Sequence, residues 1–194
     1  TKLILQYMYS NLIIREATIS DASAIAQAIA MAIADEQVLK DYCGEDYLFV
    51  LEQIASKENT QYSWQNCIIA TINSEIAGVI IGYNGAELKQ LREGTFEILK
   101  EYIPTLPEIE DETSEGEYYL DAIAVFPKFR GQGIGKTLLE ALENKAYNLG
   151  HKKLGLLVDF NNPNAEKLYT SVGYKRVNTV YFFNHKMWHL QKNL

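Results

Sequence analysis

Three glycines alternate with other residues in the segment from Arg130 to Lys136, whose sequence is R-G-Q-G-I-G-K. Glycine lets the backbone approach a ligand closely, and the unpaired N–H groups at the start of a following helix attract anions. The pattern therefore favours a phosphate or pyrophosphate site. The alternative is a tight strand-to-helix turn that is merely rich in glycine, and the flanking Arg130 and Lys136 favour the phosphate site.

Two common phosphate-binding motifs match this turn poorly. A dinucleotide-binding fingerprint needs G-x-G-x-x-G, and the turn supplies G-x-G-x-G. A P-loop agrees better, because Gly135-Lys136-Thr137 matches its second half and Leu154 to Val158 followed by Asp159 resembles a Walker B strand. However, the first P-loop glycine is replaced by Arg130. A P-loop nucleotide hydrolase therefore remains the weaker alternative.

Hydrophobic periodicity and turn residues predict the elements before this turn. Asn73-Ser74-Glu75 is typical of a hairpin turn. Residues 84–117 begin as a helix that Pro104 and Pro107 end, and an acidic loop follows. The other elements expected in this half are a strand from Leu12 to Arg15, helices from Ser20 to Ala34 and from Asp46 to Ser56, and strands from Cys67 to Ile72 and from Ile76 to Tyr83.

Strands and helices alternate in the second half. The predicted elements are a strand from Tyr118 to Val125, a helix from Gly133 to Leu149, a strand from Leu154 to Phe160, a short helix from Asn162-Pro163 to Gly173, and strands from Val177 to Phe183 and from Lys186 to Leu190. The fold class is therefore α/β (mixed α+β), with one domain over residues 1–194. Its central mixed sheet is largely antiparallel, contains one parallel pair, and carries helices on both faces.

Composition excludes several classes of function. The chain has 194 residues and a net charge of −7, which argues against binding to nucleic acid or to an anionic membrane surface. No apolar run is long enough to cross a bilayer, and Thr1 to Ile14 is not typical of a signal peptide. Cys43 and Cys67 are expected to be buried and unpaired, so a cytoplasmic location is the default.

Two segments together resemble the GNAT superfamily of N-acetyltransferases. Val125 to Gly135 follows the family's pattern of a strand ending in valine and then [Q/R]-x-x-G-x-[G/A]. Asn162 to Tyr174 follows N-x-x-A-x-x-L-Y-x-x-x-G-[F/Y]. The resemblance is close from Tyr118 to Tyr174, looser over Leu12 to Tyr83, and absent from Asn84 to Glu117, which is read as an inserted helix plus the acidic loop.

The resemblance implies acetyl-CoA as a co-substrate and no metal. The strand ending at Val125 would pair with the pantetheine arm through Ile123, Ala124 and Val125. Asn162 would hydrogen-bond the same arm, although it is equally suited to cap the following helix. The turn would hold the pyrophosphate through Arg130, Gly131, Gln132, Gly133, Ile134, Gly135 and Lys136.

The resemblance also assigns catalytic roles. Tyr169 matches the tyrosine beside the acetyl-CoA sulfur, where a phenol can protonate the leaving thiolate. Asp121 alternates with Ile123 and Val125, so it is the first candidate for the base that accepts the amine's proton. It could equally be a carboxylate that only fixes neighbouring backbone. Glu117, at the start of the same strand, is the second candidate.

The acceptor implied is a primary amine of a small molecule or peptide. The acidic loop could attract a cationic amine, although a solvated, mobile run of charge is favoured slightly. His185 and His189 fall in a predicted strand, so a metal site is not expected. A non-catalytic acyl-CoA-binding or sensing module is the main alternative function, and a homodimer is possible.

Overall fold

Seven strands form one sheet in the computed structural model, which describes residues 11–183 and 185–194. The first ten residues, on which most of the signal-peptide prediction rests, lie outside the described residues. The strands are β1 (Leu12–Glu16), β2 (Cys67–Ile72), β3 (Glu75–Asn84), β4 (Tyr118–Val125), β5 (Lys153–Asp159), β6 (Lys175–Phe182) and β7 (His185–Asn193).

The described residues also form six α-helices and four short 3-10 helices. The α-helices are α1 (Ala22–Ile33), α2 (Glu36–Cys43), α3 (Tyr47–Ala55), α4 (Leu88–Leu99), α5 (Ile134–Asn148) and α6 (Pro163–Ser171). The 3-10 helices are Ile19–Asp21, Trp64–Asn66, Gly85–Glu87 and Pro127–Phe129. None of the helices in the described residues combines the length and apolar character needed to cross a bilayer.

The strand order is β1-β2-β3-β4-β5-β7-β6. Every neighbouring pair is antiparallel except β4 and β5, which are parallel. The predicted hairpin between β2 and β3 is confirmed, with Asn73 and Ser74 at φ 51° and 68° between the paired residues Ile72 and Glu75. The mixed, largely antiparallel sheet predicted from the sequence is therefore confirmed.

The sheet separates two hydrophobic cores. On one face, α1 and α3 bury Ile25, Ile29 and Leu51 against β2, β3 and β4. On the other face, α5 buries residues such as Leu138 against the same strands, and α6 contributes Tyr169. Helices lie on both faces of the sheet, as predicted. A gap between strands would therefore connect two faces that are covered by different helices.

Helix α2 is absent from the sequence-based prediction. Its N-terminus is capped by Asp35, whose side chain accepts hydrogen bonds from the backbone of Gln37 and Val38. Glu36 and Lys40 form an ion pair one turn apart. Short, charged helices of this kind show little apolar periodicity, because caps and charge pairs contribute much of their stability.

The acidic loop departs from the predicted run of solvated charge. Glu108, Glu110, Asp111 and Glu115 are exposed, as that prediction requires. The prediction is wrong for Glu112 and Glu117, which are 5% and 4% exposed. Each buried carboxylate accepts hydrogen bonds from side chains distant in sequence, and these offset the cost of removing charge from water.

Candidate active site

Strands β4 and β5 diverge halfway along their length. Their parallel pairing joins Tyr118 to Leu154 and continues only as far as Leu120 and Leu156. Beyond this point β4 remains paired with β3 and β5 remains paired with β7. In the described part of the chain, the edge of β4 that faces β5 thus has no strand partner after Leu120.

A cavity of about 560 Å³ occupies the gap. One wall is formed by β4 and the region of α1 and α2, including Ile29, Asp35, Tyr62, Glu112 and Asp121. The opposite wall is formed by the end of β5, α6 and the β6–β7 hairpin, including Asp159, Asn162, Tyr169, Phe183 and His185. The cavity therefore joins the two faces of the sheet, and two ligands can meet in it from opposite directions.

Asp121 lies at an irregularity in β4. Opposite it, consecutive residues Ile81 and Gly82 of β3 pair with Ala122 and Leu120, so Asp121 is an extra residue in the ladder. Such a bulge interrupts the alternation of side chains along a strand. The alternation of Asp121 with Ile123 and Val125 in the sequence is thus interrupted in the structure, where Ile123 and Val125 pack against the core on the α5 face.

The carboxylate of Asp121 meets Tyr83 instead. Tyr83 Oη donates a hydrogen bond to Asp121 Oδ2 over 2.7 Å. Burial and the nearby charge of Glu112 together raise the pKa of Asp121 to about 7, although the hydrogen bond from Tyr83 and the positive charge of Arg92 oppose the change. A carboxyl group with a pKa near neutrality on a cavity wall is suited to exchange protons with a ligand.

Glu117 lies outside the residues that line the cavity. Its carboxylate accepts hydrogen bonds from Thr113 and Gln191 and lies 2.9 Å from His189 Nε2. Burial raises its pKa, but the hydrogen bonds from His189, Thr113 and Gln191 outweigh that effect and leave the pKa below its usual value. A Cβ atom on Gly155 would fall 1.9 Å from Glu117 Oε2, so the carboxylate lies directly over this glycine. This environment is that of a structural anion.

Tyr169 reaches the cavity from α6. The side chain is 8% exposed, and its ring packs edge-on against Tyr174 with centroids 5.8 Å apart. Burial raises the pKa of Tyr169 to about 12, so the phenol keeps its proton at neutral pH. Asn162 begins the same helix, and its side chain accepts a hydrogen bond from the backbone of Ala165 over 3.1 Å. The capping role predicted for Asn162 is confirmed, while the residue also lines the cavity.

The glycine turn lies at the end of β4 and outside the cavity lining. Gly131 and Gly133 have φ values of 75° and 78°, in the left-handed region that glycine adopts without strain. The N-cap residue of α5, which begins at Ile134, is Gly133, which has no side chain to cap the helix. The side chain of Arg130 turns back, and its Nε donates to the carbonyl of Val125 over 3.1 Å. The turn therefore presents backbone N–H groups of a helix start as an anion-binding nest.

Four residues of the site were missed by sequence reasoning. They are Gln61, Tyr83, Arg92 and Glu112, which join Asp121 in one hydrogen-bonded and charged cluster. They come from four separate parts of the chain, and neither a motif nor a regular spacing connects them. The buried polar character of Glu112 is evident only after the acidic segment has folded.

The profile of the acetyltransferase (GNAT) family matches residues 36–174. The chain belongs to this family. The matched range contains the diverging strands, the glycine turn and α6, so the resemblance seen in the two motifs extends over most of the fold.

Solved structures agree with this assignment. A crystal structure of an acetyltransferase is 34% identical with a TM-score of 0.79, and the match covers 93% of this chain and 98% of that one. An N-acetyltransferase from Staphylococcus aureus Mu50 is 28% identical with a TM-score of 0.79, and the match covers 92% and 99% of the two chains. These values are consistent with a shared GNAT fold over almost the whole chain.

Among curated proteins, GCN5-related N-acetyltransferase 4, chloroplastic, from Arabidopsis thaliana is 29% identical over 127 residues. That match covers 58% of this chain and 43% of the relative. The chain spans less than half the length of the curated relatives it matches.

Proposed function

We propose that this protein transfers the acetyl group of acetyl-CoA to a primary amine of a small molecule or peptide, by direct attack within a ternary complex. The observation that carries the proposal is the cavity between β4 and β5, whose walls include both Asp121 and Tyr169. A carboxyl group that can accept a proton and a phenol that can donate one thus face the same gap.

Acetyl-CoA fits two features of this chain. The edge of β4 at Ile123, Ala124 and Val125 has backbone groups without a strand partner, which suits the amides of a pantetheine arm. The nest from Arg130 to Lys136 suits a pyrophosphate, and the dipole of α5 adds favourable charge. Bound acetyl-CoA supplies a thioester whose carbonyl carbon an amine can attack.

Asp121 is the proposed proton acceptor. A primary amine is mostly protonated at neutral pH and must lose a proton before its nitrogen can attack a carbonyl carbon. With a pKa of about 7, Asp121 is partly ionised at neutral pH and can take that proton, directly or through water. As the C–N bond forms and the C–S bond breaks, the nitrogen also loses a second proton to solvent.

Tyr169 is the proposed proton donor. The electron pair of the broken C–S bond remains on sulfur, and a thiolate in a buried cleft is stabilised by receiving a proton. Because the pKa of Tyr169 is about 12, its hydroxyl is protonated whenever the reaction begins. After each turnover the phenol recovers a proton from solvent.

The amine is proposed to enter from the face of the sheet that carries α1 and α2. That side holds Asp121 and Glu112 together with apolar residues such as Ile29 and Ile33. The β6–β7 hairpin closes over it, since Phe183 packs edge-on against Tyr42 of α2 with ring centroids 5.8 Å apart. The acceptor side therefore combines negative charge at its base with an apolar wall, which favours a cationic amine on an apolar stem.

Calorimetric titration with acetyl-CoA, followed by an assay of free CoA release with a panel of primary amines, tests the proposal. We expect micromolar binding of acetyl-CoA and amine-dependent CoA release, with no binding of ATP and magnesium. Binding of acetyl-CoA without release for any amine would favour the non-catalytic module. Binding of ATP alone would instead support the P-loop alternative, which the family match and Arg130 disfavour.

A further inference from the structure

Glu112 brings a second, buried carboxylate to the wall that carries the half-buried Asp121. Both residues line the cavity, and Glu112 is 5% exposed. Tyr83 lies between them, with its Oη 2.7 Å from Asp121 Oδ2 and 3.3 Å from Glu112 Oε1. Gln61 Nε2 donates to Glu112 Oε1 over 2.7 Å and to Tyr83 Oη over 3.2 Å. One phenol thus contacts two carboxyl groups in a desolvated space.

Arg92 of α4 holds Glu112 in this place. Its Nη2 donates to Glu112 Oε2, and its guanidinium also donates to Asp111 Oδ1 over 2.8 Å and to the carbonyl oxygens of Ile109 and Glu110. The segment before β4 is therefore wrapped around one arginine. Helix α4 is itself fixed closely against the chain, because a Cβ atom on Gly94 would lie 2.1 Å from the carbonyl oxygen of Asn59.

The hydroxyl of Tyr83 has one hydrogen and can donate it to only one of the two carboxylates. Gln61 donates to the same oxygen, so the phenol hydrogen is free to point at Asp121, which is the nearer acceptor. A hydrogen bond to the charged form favours ionisation of Asp121, whereas the like charge of Glu112 disfavours it. The two neighbours therefore act on Asp121 in opposite directions.

We propose that Tyr83 and Glu112 are positioning residues that set the ionisation of Asp121 in opposite directions. The segment between β3 and β4 would then contribute to the reaction through Arg92 and Glu112, although it lies outside the family's motifs. This inference rests on the proposed function, in which Asp121 accepts the proton of the amine.

Among the other charged and titratable groups near Asp121, Arg92 acts on it directly, because its positive charge lowers the pKa of Asp121. Burial raises the pKa of each neighbouring phenol and thiol above its ordinary value, so these groups stay neutral between pH 5 and 9; they are Tyr42, Tyr62, Cys67 and Tyr119. Burial also raises the pKa of Glu112, and Arg92 opposes this. Asp35, Asp159 and His185 line other parts of the cavity, and His185 Nδ1 lies 2.7 Å from Asp159 Oδ2.

The test compares the variants Y83F and E112Q with the wild type. The titration of Asp121 is followed by 13C NMR of aspartate-labelled protein, with the Asp121 signal identified by its loss in D121N. We expect Y83F to raise the pKa of Asp121 and E112Q to lower it, each by about one pH unit. The acid limb of the pH profile of kcat/KM should move in the same two directions.

E115Q is the matched control, because it removes one negative charge from an exposed position of the same segment. The pKa of Asp121 in E115Q should equal that in the wild type. The inference would be overturned if Y83F and E112Q shifted the pKa of Asp121 in the same direction, or if neither variant shifted it. The NMR measurement needs no turnover. If the wild type were inactive but Y83F and E112Q shifted the pKa of Asp121 in opposite directions, the proposed function would be rejected and the opposing effects of Tyr83 and Glu112 on Asp121 would be retained. Near-UV circular dichroism checks that each variant is folded. If Y83F does not fold, the pKa shift of Asp121 in E112Q alone tests the effect assigned to Glu112.

Discussion

At the scale of single residues, the neighbouring buried tyrosines Tyr169 and Tyr174 differ in their access to the cavity. Tyr169 lines the cavity, whereas Tyr174, which packs against it, does not. Replacing Tyr169 with Phe removes the proposed proton donor and keeps the ring. We expect kcat to fall by about 10²-fold with acetyl-CoA affinity nearly unchanged, as measured by CoA release and by calorimetry.

Tyr174→Phe is the control for this prediction. The hydroxyl of Tyr174 is buried without a hydrogen-bond partner among the described residues, so its removal deletes the same atom from an adjacent ring. Activity of Y174F should match that of the wild type. A Y169F variant with full activity, or an equal loss in both variants, would remove the assigned role of Tyr169.

The residues of the site differ in how visible they are in the sequence. Tyr169 could be selected from thirteen tyrosines because it falls within a motif. Asp121 could be selected as an acid within a strand. The direction of its side chain could not be predicted, because the bulge at Asp121 depends on how β3 pairs with β4. Tyr83 and Glu112 could not be found, since their contacts join residues 29 and 38 positions apart in the chain.

At the scale of elements, the turn before α5 depends on two left-handed glycines. Gly131 has a φ of 75°, and a Cβ atom added there would meet no atom within 4 Å. Gly131→Ala therefore introduces backbone strain of about 1 kcal/mol without a clash. Relief of that strain turns the N–H groups of the nest, so we expect affinity for acetyl-CoA to fall roughly tenfold in calorimetry.

Gly150→Ala is a matched control at the other end of α5. Gly150 also has a positive φ, 88°, and also has open space around an added Cβ atom. Both variants should lose similar thermal stability, while only G131A should bind acetyl-CoA more weakly. If G150A lost as much affinity for acetyl-CoA as G131A, the loss would reflect global destabilisation and the nest would have no specific role.

Elements with a local signal could be predicted, and those that depend on distant contacts could not. The turn between β2 and β3 is confirmed, because a few adjacent residues fix it. The predicted helix ends at Leu149, whereas α5 ends at Asn148 and Leu149 is 62% exposed. The insertion of β7 between β5 and β6 also has no local signal, because the strand order is decided by the whole sheet.

At the scale of the whole molecule, the cavity between β4 and β5 interrupts the hydrophobic core. Ionisable groups lie in this region, where apolar side chains would otherwise pack. Asp121 and Glu112 are kept in that region by Tyr83, Gln61 and Arg92. Burying a carboxylate costs free energy unless it is fully paired. The chain therefore gives up stability in order to hold ionisable carboxyl groups beside the cavity.

This cost predicts how stability depends on pH. The pKa of Asp121 is about 4 in an unfolded chain and about 7 in the folded protein. The folded state therefore binds this proton more tightly, and the resulting contribution to stability is fully present below about pH 4 and is lost as the pH rises through about 7. Replacing Asp121 with Asn removes this dependence. Between pH 5 and pH 8, D121N should gain roughly 2 kcal/mol of unfolding free energy relative to the wild type.

Urea unfolding of both proteins at several pH values measures this difference, and E115Q serves as the control because Glu115 is exposed. The curve of E115Q should run parallel to that of the wild type, whereas the curve of D121N should diverge from it between about pH 4 and about pH 7, and D121N should lose acetyl transfer. If D121N also ran parallel to the wild type, Asp121 would ionise in the folded protein at no cost. Its pKa would then lie near the ordinary value, and Asp121 would lack the property that suits it to accept a proton near neutral pH.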